Sequence, residues 1–184
     1  MKKIISLFQR NYDGNRLVRD EVVPGAEWVI NGEGIATEKI DGTCCLVDNG
    51  LLYKRYDAKK GKTPPSNFIP AQDPDPVTGH WPGWLPVGDG PEDKWHREAW
   101  EDMKDRYKRN RFTCELIGPK VQGNKYRLDK HRLEVHGSTP LPDAPRTYDD
   151  LKVYLLLAGI EGIVWHHPDG RMVKIKAKDF GIKW

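Results

Sequence analysis

Lys39 stands in Thr37-Glu38-Lys39-Ile40-Asp41-Gly42, at the end of an alternating stretch and just before an Asp-Gly bend. A primary amine that has lost its proton is a nucleophile, so a lysine held there could attack an electrophilic phosphorus. Asp41 could orient the amine or a metal-bound water, and Gly42 lets the backbone bend and a nucleotide come close. A solvated lysine leading into a turn is the plainer alternative. Lys174 and Lys176 alternate with Val173 and Ile175, so a strand would put both ammonium groups on one face and both β-branched side chains on the other. Lysines that protect an edge strand give the same pattern. Glu115, within Phe112-Thr113-Cys114-Glu115-Leu116-Ile117, needs partners because an unpaired buried charge is costly. The adjacent hydroxyls of a ribose would serve, and so would an arginine.

The elements that must hold these groups can be read from periodicity and turn residues. Strands are expected at 4–8, 28–30, 34–40, 43–47 and 51–55, with Asn49-Gly50 as a type I′ hairpin turn between the last two. Residues 57–91 are rich in proline and glycine yet contain Trp81 and Trp84, which predicts an ordered insertion with its own apolar cluster. Those tryptophans are candidates for stacking on unpaired bases. Pro91 opens a predicted helix to about Lys108, in which Trp95, Ala99, Met103 and Tyr107 repeat along one face. Strands follow at 111–117 and 132–136. Thr147 with Asp150 predicts a capping box for a helix that ends at Gly159. A closing hairpin spans 162–176, with a turn at Pro168-Asp169-Gly170.

The chain has 184 residues, 31% of them charged, and a net charge of +3. That length suits one domain, 1–184, and the charge permits nucleic-acid binding without a histone-like excess. No apolar run is long enough to span a membrane, and no signal-peptide core follows Met1-Lys2-Lys3, so a cytoplasmic protein, or one nuclear by diffusion, is expected. Cys44, Cys45 and Cys114 lack paired metal spacing and read as reduced thiols without disulfide or zinc roles. Neighbouring strand residues face opposite ways, so Cys44 and Cys45 cannot both be core. Alternation likewise sends His166 and His167 to opposite faces, which argues against a shared metal, and they read as surface residues.

In chain order the pattern resembles the covalent nucleotidyltransferase superfamily of ATP-dependent polynucleotide ligases and mRNA capping enzymes. Lys39-Ile40-Asp41-Gly42 matches its nucleophile motif, and Arg55, in Lys54-Arg55-Tyr56-Asp57, matches the arginine after the first hairpin. Glu115 falls on the ribose-binding carboxylate, Glu161-Gly162-Ile163-Val164 on the metal-linked glutamate motif, and Lys174-Ile175-Lys176 on the final lysine pair. Within the superfamily the chain looks most like small single-domain 5′-3′ RNA ligases. His136 departs from the pattern, standing where an aromatic usually stacks on the purine.

The resemblance implies an α+β fold: an ATP-grasp-like nucleotidyltransferase core of antiparallel sheets flanked by helices, without a C-terminal oligonucleotide-binding domain. It implies ATP and Mg2+ (or Mn2+) as cofactors, and RNA 5′-phosphate and 3′-hydroxyl ends as partners of a monomer. Lys39 would become adenylylated, with Lys174 and Lys176 on the α-phosphate. Glu38, Asp41, Gly42, Arg55, Glu115 and His136 would contact the nucleotide, and Glu161 a magnesium-bound water. A capping guanylyltransferase, a DNA-nick ligase and a non-catalytic RNA-binding module are the alternatives.

Overall fold

The structure, a computed structural model, describes residues 4–184. In chain order its first elements are β1 (Ile5–Ser6), β2 (Phe8–Arg10), β3 (Val18–Val22), α1 (Glu27–Ile30) and β4 (Ile35–Glu38). Next come β5 (Thr43–Asp48), β6 (Leu51–Ala58), β7 (Ile69–Pro70), β8 (Trp81–Pro86), α2 (Lys94–Glu101), β9 (Arg111–Ile117) and β10 (Arg132–Val135). α3 (Tyr148–Ala158), β11 (Gly162–His166) and β12 (Met172–Lys176) complete the set. The fold is α+β, with mainly antiparallel sheets and flanking helices, and it divides into two compact units.

The discontinuous unit comprises residues 4–40 and 137–184. Its four-stranded sheet runs β1-β12-β11-β4, antiparallel except for the parallel pairing of β1 with β12. Leu7, Phe8, Leu151, Leu155, Ile163, Trp165, Val173 and Ile175 form the heart of its core. Apolar alternation along β11 and β12 explains which face is buried, since Ile163 lies opposite Ile175 and Trp165 opposite Val173. Gly159 ends α3 with φ 60°, a left-handed residue where the sequence places the stop.

The continuous unit comprises residues 41–136. Its six-stranded sheet runs β10-β9-β5-β6-β8-β7. One face carries Cys45, Val47, Leu52, Cys114, Leu116 and Leu133, against which α2 packs Ala99. Asn49 and Gly50 adopt φ 49° and 80°, the paired left-handed conformations of a type I′ turn.

Several expectations need correction. Residues 28–30 belong to the single helical turn α1 rather than a strand, and β3 went unforeseen. The helix after Pro91 begins as a 3-10 turn, continues as α2 and is over by Glu101, although Trp95, Met103 and Tyr107 still pack on the core. Thr147 Oγ1 bonds the Asp150 carboxylate at 2.6 Å, and no side chain caps a backbone N–H of α3. The 57–91 segment has the expected small aromatic cluster, Phe68 against Tyr56 and Trp81, and also extends the sheet, because β8 pairs with β6 along its whole length. No helix among the described residues is long and apolar enough to cross a membrane.

Candidate functional site

In the discontinuous unit, β4 and β11 pair with Thr37 opposite Val164 and Glu38 opposite Ile163. Just beyond β4, the Lys39 N–H donates to the Gly162 carbonyl at 2.9 Å. Gly162 has no room for a side chain: a Cβ there would strike the Ile175 carbonyl oxygen and come within 2.9 Å of Lys176 Cα. This close pairing sets Lys39 beside Glu161, and Lys39 Nζ donates to Glu161 Oε2 at 2.5 Å. The two side chains are 22% and 13% exposed, so the pair is shielded but reachable.

β12 brings Lys174 opposite Val164 and Lys176 opposite Gly162. Ile163, Trp165, Val173 and Ile175 are fully buried on the core face, which leaves Lys174 and Lys176 on the other face, as alternation predicts. Burial pushes the Lys176 amine down to about 8; Asp179 opposes this, while Lys178 and Lys174 add to it. Asp179 is fixed in turn, accepting from the Lys176 N–H at 3.0 Å and from Arg10 at 2.5 Å. Glu38 is half-buried, and its N–H donates to the Thr139 carbonyl at 2.9 Å.

The continuous unit holds the second group. Cys44 and Glu115 face each other across β5 and β9, and Glu134 faces Glu115 from β10. His136 follows β10 and donates its N–H to the Thr113 carbonyl at 3.1 Å. Its ring lies between two partners, with Nδ1 2.8 Å from Thr113 Oγ1 and Nε2 3.0 Å from Glu115 Oε1. Burial, reinforced by the Glu115 carboxylate, pushes the Cys44 thiol far up. Arg55 bonds Asp57 at 3.3 Å and lies 5.3 Å from the ring of Trp84, its cross-strand partner.

Other residues singled out in the sequence have packing or hydrogen-bond partners of their own. A Cβ on Gly42 would strike the Leu116 carbonyl oxygen, so the sheet itself requires glycine there, before any nucleotide does. Trp84 is only 3% exposed and cannot stack on a base; it supports Arg55 instead. Trp81 is held by a bond to the Gln72 carbonyl at 2.8 Å and an edge contact with Phe68. His166 and His167 are half-buried rather than superficial, with His166 3.0 Å from Thr37 Oγ1 and His167 3.0 Å from Glu33.

Two features had gone unread. The Tyr126 hydroxyl accepts the Asp41 N–H at 2.8 Å, fixing the bend after the lysine motif within its unit. Tyr126 belongs to a loop, 118–131, that exposes Lys120, Lys125, Arg127 and Lys130 against a single exposed acid, Asp129. Gln122, Asn124 and Arg127 there adopt φ 44°, 52° and 51°, and Asn124 is bonded to Leu128 through both its amide oxygen and nitrogen. Gln122-Gly123-Asn124 was the available turn signal.

A family profile described as RNA ligase 1 matches residues 103–184, from just before β9 to the last residue. RNA ligase 1 of Mus musculus is 28% identical over 225 aligned residues, covering 82% of this chain and 68% of that protein. RNA ligase 1 of Danio rerio is 27% identical over 223 residues, covering 81% and 68%. These likenesses support an RNA ligase 1 family assignment. Glu115, His136, Glu161, Lys174 and Lys176 lie inside the span matched to the RNA ligase 1 profile, whereas Lys39 and Arg55 precede it.

Proposed function

We propose that this chain is an ATP-dependent RNA ligase with a nucleotidyltransferase core, sealing 5′-phosphate and 3′-hydroxyl ends. One observation carries the reading: Lys39 and Glu161, from two separate motifs, meet at 2.5 Å on the sheet that also displays Lys174 and Lys176. An amine against a carboxylate, on a sheet that carries two further lysines on one face, suits transfer of an anionic group better than it suits a passive surface. The RNA ligase 1 likenesses support the same class.

In this proposal Lys39 Nζ attacks the α-phosphorus of ATP. The new P–N bond forms as the bond to pyrophosphate breaks, leaving a lysyl-AMP phosphoramidate. An RNA 5′-phosphate oxygen then takes the AMP and frees the lysine. Finally a 3′-hydroxyl attacks the adenylylated end and AMP leaves. Lys174 and Lys176 would neutralise phosphate charge as it builds in the transition state. Glu115 would accept from the ribose hydroxyls, Arg55 would bind ribose or phosphate, and His136 would lie against the base. Glu38 and Asp41 would position the lysine segment.

The Glu161 carboxylate offers the hard oxygen donor that magnesium prefers, and it would hold the ion, which supplies charge neutralisation when bound. Intact mass after incubation with ATP and magnesium tests the first step. A gain of one AMP on Lys39 is expected with ATP and not with GTP. Pre-adenylylated RNA tests the last step: Lys39→Ala should still join it to a 3′-hydroxyl without ATP. If wild type makes lysyl-AMP but neither protein seals that RNA, the chain transfers nucleotides without ligating.

A further inference from the structure

The sheet of the continuous unit gathers three ligand types that contact with a nucleoside alone does not explain. Cys44, Glu115 and His136 come from β5, from β9 and from the position after β10. A thiol sulfur, a carboxylate oxygen and an imidazole nitrogen, one from each, all lie within 4.8 Å of one another. Cys44 and Glu115 are held by direct cross-strand pairing, and His136 by its backbone bond to Thr113. Thr113 Oγ1 also occupies His136 Nδ1 at 2.8 Å, which turns Nε2 toward Glu115 at 3.0 Å. A hydrogen-bonded far nitrogen is the usual setting of a metal-ligating imidazole.

We infer that Cys44, Glu115 and His136 form a binding site for a divalent transition-metal ion of the zinc class. The donor set decides the class. Magnesium and calcium favour oxygen ligands and would leave the sulfur and nitrogen unused. Zinc accepts all three donors in tetrahedral geometry and keeps one position open. Paired sequence spacing does not mark the site because its ligands come from β5, from β9 and from just after β10. Where the proposed ligase reading also holds, zinc would take Glu115 and His136 away from the nucleoside, so metal and ATP would compete.

Cobalt(II) is the optical probe. Titrated into the full, reduced chain, it should give a thiolate-to-metal charge-transfer band and visible ligand-field bands that saturate at equimolar metal. Equimolar zinc should erase them. Cys44→Ser should abolish the thiolate band, and His136→Gln should weaken zinc binding at least about tenfold. Thr113→Val, which leaves all three ligands in place, should weaken it by about tenfold through loss of ring orientation. His80→Ala, at an exposed position outside the sheet, should change nothing. Zinc should also raise the melting temperature of wild type, which shows binding even where a variant fails to fold. A cobalt spectrum without a thiolate band overturns the inference, as does a band that survives Cys44→Ser or unchanged zinc affinity in folded His136→Gln. These readouts need no catalysis. A chain that never forms lysyl-AMP would sink the ligase reading and leave the metal site to be decided by cobalt alone.

Discussion

The two sheets present opposite chemistry on their functional faces. The four-stranded sheet offers cations and an amine, Lys174, Lys176 and Lys39, with the carboxylate of Glu161 against Lys39. The six-stranded sheet offers a carboxylate, an imidazole and a thiol, with Arg55 braced on Trp84. The groups also differ in how they are held. Lys39 and Glu161 stand just outside β4 and β11, where pairing has ended and side chains can approach one another. Cys44 and Glu115 sit within continuous strands, fixed by register. In the proposed reaction the bond-forming amine thus lies at a strand end, while the carboxylate proposed to recognise the ribose is built into the pleat.

The sharpest way to break that contrast is Lys39→Ala. It should eliminate the added AMP mass altogether, with little change in melting temperature, because the side chain contributes one ion pair at a strand end. A full yield of adenylylated protein on another lysine would remove the distinction between the sheets.

Asp93→Ala probes the scaffold of the six-stranded sheet instead. Asp93 is 2% exposed, bonded to Lys54 at 2.5 Å and to the Gly88 N–H at 2.8 Å. Its removal should cost about 2 kcal/mol in urea denaturation, since the half-buried Lys54 ammonium and the Gly88 N–H lose a charged hydrogen-bond partner. A loss below about 1 kcal/mol would mark the pair as a surface-type bridge.

Lys174→Ala and Lys176→Ala should each slow lysyl-AMP formation at least about tenfold, as expected for a charge contact made in the transition state. Single-turnover rates measure this. Unchanged rates in both would return β12 to the role of a lysine-protected edge.

A subtler effect comes from pH. With its amine pushed down to about 8, Lys176 loses its charge as pH rises through that value, and lysyl-AMP formation at low ATP should fall with it. Lys176→Arg keeps its charge and should shift the fall upward. Stability moves the other way. Between about 8 and the ordinary 10.5 the unfolded chain holds the Lys176 proton that the folded one has released, so this group makes the fold more stable as pH rises across that window. Denaturation of Lys176→Gln should lack that rise.

How much of this was legible beforehand follows the same division. The closing hairpin, the Asn49-Gly50 turn and the face shared by Lys174 and Lys176 follow from period-two patterning, which is local. The meeting of Lys39 with Glu161 depends on how β4 pairs with β11, which periodicity within one segment cannot encode; the resemblance placed both in one site without pairing them. The grouping of Cys44, Thr113, Glu115 and His136 depends on register across three strands, which no spacing in one segment encodes. Gly42 has a further reason that local sequence could not give, because the Leu116 carbonyl that excludes a side chain is far away in sequence. Composition pointed to the small cluster around Trp81 but could not show that Trp84 is buried where β8 extends the sheet.

The division of the chain also sets an order of events during synthesis. Residues 41–136 are contiguous, so that unit has all its strands before any of 137–184 has been translated. β4 must wait, because its partner β11 is made more than a hundred residues later, and β1 waits for β12. Long-range pairing of this kind is the slow part of folding. Lys39 therefore meets Glu161 only when the last hairpin is made, and a nascent chain would carry the amine without the carboxylate and sheet that the proposed reaction needs. Ribosome-bound chains stalled before Gly162 should accordingly take up no AMP.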